Sequence, residues 1–161
     1  MALAYLSLGS NLGDRDSYLA MARKAVEKSF ALPRFSKIYE TEPVELLAQP
    51  WFLNQVAEFQ TDLAPESLLE WVRILEAQAN RQREIPKGPR TLDVDILLYD
   101  DWVLEVEGLV LPHPRLEARR HVLVPLADLA PDKPLPGGHK TVLEALNQVK
   151  DTAQVKPHAP T

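Results

Sequence analysis

The chain has 161 residues, 45% of them hydrophobic, a formal net charge of −5 and no cysteine. This length fits one domain with its own core, predicted at residues 1–150, followed by a poorly ordered tail at residues 151–161. The composition excludes disulfides and thiolate metal sites, and the acidic balance argues against a nucleic-acid partner, whose binding would need many Lys and Arg contacts to phosphate.

The first part of the chain predicts a strand, a helix and a second strand. Residues 2–8 alternate as a buried strand does, and they carry no signal-peptide pattern. No apolar run approaches the roughly 18 residues of a membrane span, so we expect a cytoplasmic protein without a membrane partner. Residues 9–14 supply turn formers and a helix cap. The next helix should pack through Leu19, Ala22, Val26 and Phe30 and end near Pro33, before a strand at residues 35–41.

The middle of the chain predicts a long loop, a strand, a helix and a further strand. Residues 42–50 contain two prolines and are too many for a tight hairpin. A strand at residues 52–61 follows, then a helix from Pro65 to about Arg83 and a strand at residues 91–99. These elements predict an α+β, ferredoxin-like sandwich with a mostly antiparallel sheet, helices packed on one face and a C-terminal extension.

Two aspartates in the last of these strands are the first candidates for chemistry. Side chains two apart in a strand share a face, so Asp93 and Asp95 should lie about 7 Å apart. Two such carboxylates suffice for Mg²⁺ when a triphosphate and water supply the other ligands. The alternative interpretation is a pair of solvated acids on an exposed face of the sheet.

A basic stretch stands immediately before these aspartates. Residues 81–90 hold four cations and one acid, namely Arg81, Arg83, Lys87, Arg90 and Glu84. Cations beside a carboxylate pair are what a metal-polyphosphate complex requires, because they neutralise charge on the leaving group. The alternative is a charged surface loop that merely balances nearby acids.

A second basic group lies at residues 111–121. It contains His113 between two prolines, followed by Arg119 and His121. A lone histidine is more often packed or solvated than a ligand, but the prolines fix its backbone. Glu76 lies at the margin of its helix's inward face and needs a partner, either a structural cation or a ligand. Neither a Walker motif nor the kinase motifs are present.

These segments resemble the 6-hydroxymethyl-7,8-dihydropterin pyrophosphokinase family over nearly the whole chain. The matching segments are YLSLGSNLGD at residues 5–14, YETEP at 39–43, PWFLN at 50–54, GPRTLDVD at 88–95, LPHPR at 111–115 and RRHVLVPL at 119–126. The resemblance implies a ferredoxin-like enzyme of folate biosynthesis. It transfers diphosphate from ATP to the hydroxymethyl group of the pterin and releases AMP.

The resemblance also implies which residues form the site. Two Mg²⁺ ions are expected on Asp93 and Asp95, and the catalytic residues are expected to be Arg81, Arg90 and Asp95. The expected ATP contacts are Glu76, Arg81, Arg83, Arg90, His113 and Arg119. The expected pterin contacts are Thr41, Glu42, Pro43, Val44, Phe52, Asn54 and His121. We expect a monomer whose partners are ATP and the hydroxymethyl pterin.

Three positions depart from the resemblance, and two other functions stay open. His121 stands where many members carry an aromatic residue, Lys87 where some carry tryptophan, and Glu42 where proline is common. One alternative function is a two-metal nucleotidyltransferase, which would release pyrophosphate rather than AMP. The other is a noncatalytic ferredoxin-like binding module, for example for RNA, although the acidic charge disfavours it.

Overall fold

The computed structural model describes residues 1–44, 48–79, 91–138 and 140–159. The strands are β1 (Ala2–Ser10), β2 (Ala31–Phe35), β3 (Tyr39–Thr41), β4 (Phe52–Thr61), β5 (Asp93–Tyr99), β6 (Leu104–Val106), β7 (Leu109–Leu111) and β8 (Val155–Pro157). The helices are α1 (Arg15–Ser29), α2 (Pro65–Ala79), α3 (Arg120–Leu129) and α4 (Val142–Gln148), with a 3-10 turn at Leu116–Ala118. None of the helices in these ranges has the length and apolar character needed to cross a membrane.

The main sheet is antiparallel throughout its described pairings. Its strand order is β5-β1-β4-β3-β8, and β2 pairs with the other half of β4. The predicted α+β fold with an antiparallel sheet is therefore confirmed, and β4 has the predicted bounds. The single strand predicted at residues 35–41 is instead two short strands. Pro33 lies in β2, beside a shift of register, rather than at the end of α1.

One face of the sheet is covered by α1 and α2. Because side chains alternate along a strand, Ala4, Leu6 and Leu8 of β1 all point to this face and are fully buried. They share a core with the inward residues of the two helices, which are Leu19, Ala22, Val26, Leu68, Val72 and Leu75. The predicted packing stripe of α1 is therefore confirmed.

The opposite face is covered by α3 and α4, which corrects the prediction that the helices pack on one face. Tyr5 and Val56 point to this face and are almost completely buried, so the central strands need cover on both sides. The covering side chains are Val122, Leu123, Leu126, Val142 and Ala145. The first turn of α3 thereby lies on the same face as Asp93 and Asp95.

The C-terminal segment also differs from its prediction. A poorly ordered tail is predicted from residue 151, but the structure places Val155–Pro157 in the sheet as β8, paired with β3. Without this partner β3 would be an edge strand with unpaired backbone groups, which β8 satisfies. The prediction is therefore corrected for residues 151–159.

Candidate active site

An open cleft on the α3 face has a floor of small residues from the central strand β1. Gly9 lies opposite Asp93 of β5 on one side and opposite Asn54 of β4 on the other. Ser7 lies opposite Asp95 in the next row on the same face. Since neighbouring strands are about 4.8 Å apart, the backbones of Asp93 and Asn54 are about 10 Å apart across Gly9. An acidic side and an amide side thus face one another across a gap left by small residues.

The two aspartates line this cleft together, as their spacing predicts. Among the described residues, no group of three or more His, Cys, Asp or Glu side chains gathers as a metal cage. Two carboxylates without a cage are the donor set that suits Mg²⁺, which keeps water and substrate phosphates as its other ligands. The residues present therefore fit the predicted ion, and their role as metal ligands stays a prediction.

The amide side of the cleft comes from β3, the loop that follows it, and β4. Asn54 Nδ2 donates a hydrogen bond of 2.6 Å to Thr41 Oγ1, and both residues are buried. This bond holds the amide of Asn54 in one orientation. Every predicted pterin contact lines the cleft, namely Thr41, Glu42, Pro43, Val44, Phe52, Asn54 and His121. Arg119, predicted as an ATP contact, lines it as well.

Three further cleft residues, Ser7, Gly9 and Gln49, are not among the predicted contacts. The sequence assigns residues 9–14 to a loop and helix entry, but Gly9 and Ser10 belong to β1. A Cβ on Gly9 would stand 2.8 Å from Asn54 Oδ1, closer than van der Waals contact allows. Gly9 is therefore needed for the close approach of Asn54, a requirement visible only once β1 and β4 are paired.

Residues 49–51, which lead from the loop into β4, are held by Asn11 of the β1–α1 connection and by Arg15 at the start of α1. Asn11 Nδ2 donates to Gln49 Oε1 at 2.9 Å and to the carbonyl of Pro50 at 3.0 Å. Arg15 Nη1 donates to the carbonyl of Trp51 at 3.0 Å. The segment predicted to supply turn formers and a helix cap thus also holds one wall of the cleft, through Asn11.

Glu76 is hydrogen-bonded to β5, the strand that carries the two aspartates. Its Oε2 accepts a hydrogen bond of 2.8 Å from the backbone N–H of Val94, which lies between Asp93 and Asp95. Because β5 is at the end of the strand order, no strand in the described ranges lies beyond it to meet this N–H, and α2 supplies its partner instead. The structure thus gives the predicted ATP contact a positioning role on β5.

We expect Glu76→Ala to lower the free energy of unfolding by about 1–3 kcal/mol, because it leaves the buried N–H of Val94 without its acceptor. Glu76→Gln keeps an oxygen acceptor and is the matched control, with a smaller loss. Urea titration followed by circular dichroism measures both variants. Equal stability of Glu76→Ala and the wild type would contradict the assignment of this hydrogen bond.

A second cleft lies between α2, β5 and the β6–β7 hairpin. Its lining is mostly apolar, from Leu69, Val72, Val94, Ile96, Gly108, Leu109, Val110 and Pro114, with Asp95 and His113 as its polar members. Asp95 lines both clefts. A group held in one cleft is therefore adjacent to a group held in the other.

His113 is fixed beside β5 and is held in its neutral form. Its backbone N–H donates to the carbonyl of Leu97 at 2.9 Å, and its Nδ1 accepts from the N–H of Arg115 at 3.1 Å. Burial, with the positive charges of Arg119 and Arg115, lowers the pKa of His113 to about 4, against a smaller opposing effect of Asp93. With Nδ1 accepting, the neutral ring carries its proton on Nε2 and can donate to an anion.

The predicted basic residues Arg81, Arg83 and Arg90, together with Lys87, lie outside the described residues. Their assignment to catalysis and ATP binding therefore stays a prediction. The role that the family resemblance implies for each cleft residue named above also stays a prediction. The structure brings those residues that lie in the described ranges to the two clefts or to β5.

Comparison with known families identifies the chain's relatives. The model of the family described as 7,8-dihydro-6-hydroxymethylpterin-pyrophosphokinase (HPPK) matches residues 5–131. The chain belongs to this family. Its members are pyrophosphokinases of folate biosynthesis, which transfer diphosphate from ATP to the hydroxymethyl group of the dihydropterin, so the predicted family, enzyme class and function are confirmed.

Curated relatives support this membership along most of the chain. The 2-amino-4-hydroxy-6-hydroxymethyldihydropteridine pyrophosphokinase of Bacillus subtilis is 44% identical over 129 residues, covering 79% of this chain and 77% of its own length. The corresponding pyrophosphokinase of Methylorubrum extorquens is 43% identical over 151 residues, covering 91% of this chain and 92% of its own length.

Solved structures share the fold of this member of the HPPK family. Wild-type HPPK-DHPS of Plasmodium falciparum superimposes with a TM-score of 0.74 over 91% of this chain, at 16% sequence identity. The chain spans 44% of that longer protein. At this identity the likeness establishes the architecture alone, in agreement with the predicted fold class.

Proposed function

We propose that the two clefts hold the acceptor and the donor of diphosphate transfer, which meet at Asp95. The observation that carries this proposal is that Asp95 lines both clefts. The pterin occupies the cleft of Asn54 and Phe52, and the nucleotide occupies the apolar cleft of Leu69 and Val72. A reaction between two bound ligands needs their reacting atoms about 3 Å apart, and a shared wall provides that proximity.

The acceptor cleft has the chemistry that a pterin requires. The ring is flat and apolar on its faces and carries hydrogen-bonding groups on its edge. Phe52 offers an aromatic face, and His121 lines the same cleft from the start of α3. Asn54, held by Thr41, presents an amide to the edge of the ring, and backbone groups at residues 42–44 complete the contacts. This arrangement directs the hydroxymethyl group toward Asp93 and Asp95.

The residues between the clefts have the chemistry that the donor's phosphates require. His113 donates through Nε2, and Arg119 supplies a guanidinium beside it. Two Mg²⁺ ions held by Asp93 and Asp95 would supply the positive charge that phosphoryl-group transfer needs. Arg81, Arg83 and Arg90 are proposed, from the sequence alone, to complete this neutralisation, and Glu76 to support the site through Val94.

The proposed reaction is an in-line displacement at the β-phosphorus of ATP. A bond forms between the hydroxymethyl oxygen and the β-phosphorus, and the bond from that phosphorus to the oxygen bridging the α- and β-phosphates breaks. AMP leaves with the electron pair on its α-phosphate oxygen, and the proton of the hydroxymethyl group passes to an aspartate carboxylate or to water. The protein contributes positioning and charge neutralisation rather than a covalent intermediate. Since one chain lines both clefts, we propose that it acts as a monomer.

Position-labelled ATP tests this reaction against its rival. The protein is incubated with Mg²⁺, 6-hydroxymethyl-7,8-dihydropterin and ATP labelled with ³²P at either the α or the β position. We expect the β label in the pterin product and the α label in AMP, and no AMP without the pterin. Transfer of the α label to the acceptor, with release of pyrophosphate, would instead establish a nucleotidyltransferase.

A further inference from the structure

The C-terminal segment contacts both walls of the acceptor cleft. One wall is the end of β3 with Glu42, and the other is the first turn of α3, which carries Arg119 and His121. The segment comprises residues 151–158, which follow α4, include β8, and lie beyond residue 131, where the match to the family model ends. Neither the family model nor any predicted site residue assigns a role to it.

The segment contacts the first wall through two hydrogen bonds, which join the same two residues, Glu42 and Gln154. The backbone N–H of Glu42 donates to the carbonyl of Gln154 at 3.0 Å, and the backbone N–H of Gln154 donates to Glu42 Oε1 at 3.1 Å. This pair continues the β3–β8 ladder by one residue, from Thr41 and Val155 into the cleft wall. The side chain of Gln154 makes neither bond, so only its backbone is required.

The contact with the second wall is a cap on α3 supplied by a distant residue. Asp151 Oδ2 accepts from the backbone N–H of Arg120 at 3.1 Å, and the local cap residue Arg119 makes no side-chain cap. An acid at a helix N-terminus accepts a hydrogen bond from an N–H that lacks an intrahelical acceptor. Its negative charge also interacts favourably with the positive end of the helix dipole. Arg120 lies between the two cleft residues Arg119 and His121, so this bond fixes the turn that carries both.

The two contacts are only three residues apart in the segment. An extended chain covers about 10 Å from Asp151 to Gln154, so the segment sets a short, fixed span between the two walls. Its far end is also held, because Lys156 lies 5.5 Å from the ring centroid of Trp51 and the His158 N–H donates to Ile38. The segment therefore contributes to the separation of Glu42 from the start of α3, together with the hydrogen bond from Tyr39 Oη of β3 to Asp128 of α3.

We propose that the C-terminal segment is a positioning element for the pterin, holding the two walls of the acceptor cleft at the spacing that the ring requires. This inference rests on the proposed function, because it takes the cleft to be the pterin site. The segment does not touch the second cleft through any contact described above. Loss of its bonds to Glu42 should therefore weaken pterin binding and leave binding of the nucleotide unchanged, whereas loss of the cap on α3 also disturbs Arg119, a proposed phosphate contact.

Variants of Gln154 and Asp151 test the proposal by steady-state kinetics. Gln154→Pro removes the N–H that donates to Glu42, whereas Gln154→Ala keeps both backbone bonds and is its matched control. Asp151→Ala removes the cap of α3, and Asp132→Ala removes an exposed acid as its control. We expect the KM for the pterin to rise about fivefold in each test variant, as loss of about 1 kcal/mol per hydrogen bond implies. The KM for Mg-ATP should stay within about twofold of wild type in Gln154→Pro, whose broken bond lies on the wall opposite Arg119.

A purely structural role gives a different result. It would lower the thermal midpoint of Gln154→Pro and Asp151→Ala without raising the KM for the pterin in the folded protein. If the wild type is active, that outcome overturns the positioning role but not the proposed function. A wild type that forms no pterin-dependent AMP overturns the proposed function, and this inference with it. If one variant does not fold, the other decides the matter, since each breaks a different wall contact.

Discussion

Asp95→Asn is expected to lower kcat for pterin-dependent AMP formation by at least about a thousandfold, with no change in fold. Asp95 lines both clefts and lies on the same strand face as Asp93. Asparagine keeps the shape of the side chain but removes the negative charge that would hold the divalent cation at the triphosphate. The rate of AMP formation is measured with saturating Mg-ATP and pterin, and circular dichroism confirms the fold.

The matched control is Asp101→Asn, an exposed aspartate in the turn after β5. It makes the same change of charge outside both clefts and should keep the wild-type rate. Turnover of Asp95→Asn within about tenfold of wild type would contradict the assignment of this carboxylate to metal binding.

Gly9→Ala is expected to raise the KM for the pterin by about tenfold or more, with a smaller effect on the KM for Mg-ATP. The added Cβ would stand 2.8 Å from Asn54 Oδ1 and 3.6 Å from Phe52 Cδ1. Asn54 cannot move away without straining its 2.6 Å bond to Thr41. One added methyl group on the floor therefore displaces Asn54 while Phe52 stays in ordinary contact. Steady-state kinetics with each substrate varied in turn measures the result.

Gly138→Ala is the control for this substitution. Its backbone does not have a positive φ, and the nearest atom to a new Cβ is the carbonyl oxygen of Leu135 at 3.8 Å, an ordinary contact. We expect wild-type values of both KM constants. An unchanged KM for the pterin in a folded Gly9→Ala variant would show that Asn54 does not bind the pterin ring.

The sequence predicts best those features that depend on local alternation. The bounds of β4 follow from its alternating residues, and the shared face of Asp93 and Asp95 follows from their spacing of two. The family resemblance likewise points to most of the described residues that line the acceptor cleft, although not to Ser7, Gly9 or Gln49. Each of these predictions uses neighbours in the chain, whose relative placement the backbone geometry alone determines.

The features that the sequence does not predict depend on pairing between distant segments. The need for glycine at position 9 arises only because Gly9 pairs with Asn54, 45 positions later in the numbering. Glu76 finds its partner in the N–H of Val94 only because α2 packs along β5. Residues 151–158 offer only Ala153, Val155 and Pro157 as apolar side chains, too weak a signal to predict a strand, and β8 forms because β3 offers an unpaired edge.

The coverage of both faces of the sheet by helices is a further feature that the sequence does not predict. β1 is buried on both faces, but alternation alone does not distinguish a face covered by helices from one that is partly open. Helix α3 contains Pro125 and is short, so its sequence gives a weak helical signal. Its burial against Tyr5 and Val56 stabilises it, and the start of this same helix carries Arg119 and His121 into the cleft.

A crystal structure of the complex with Mg²⁺, 6-hydroxymethyl-7,8-dihydropterin and a nonhydrolysable ATP analogue tests the account of the site most directly. We expect the pterin ring against Phe52 and Asn54, the nucleotide base in the cleft of Leu69 and Val72, and the phosphate chain at Asp93 and Asp95. A pterin bound away from Asn54, or a phosphate chain remote from both aspartates, would contradict it.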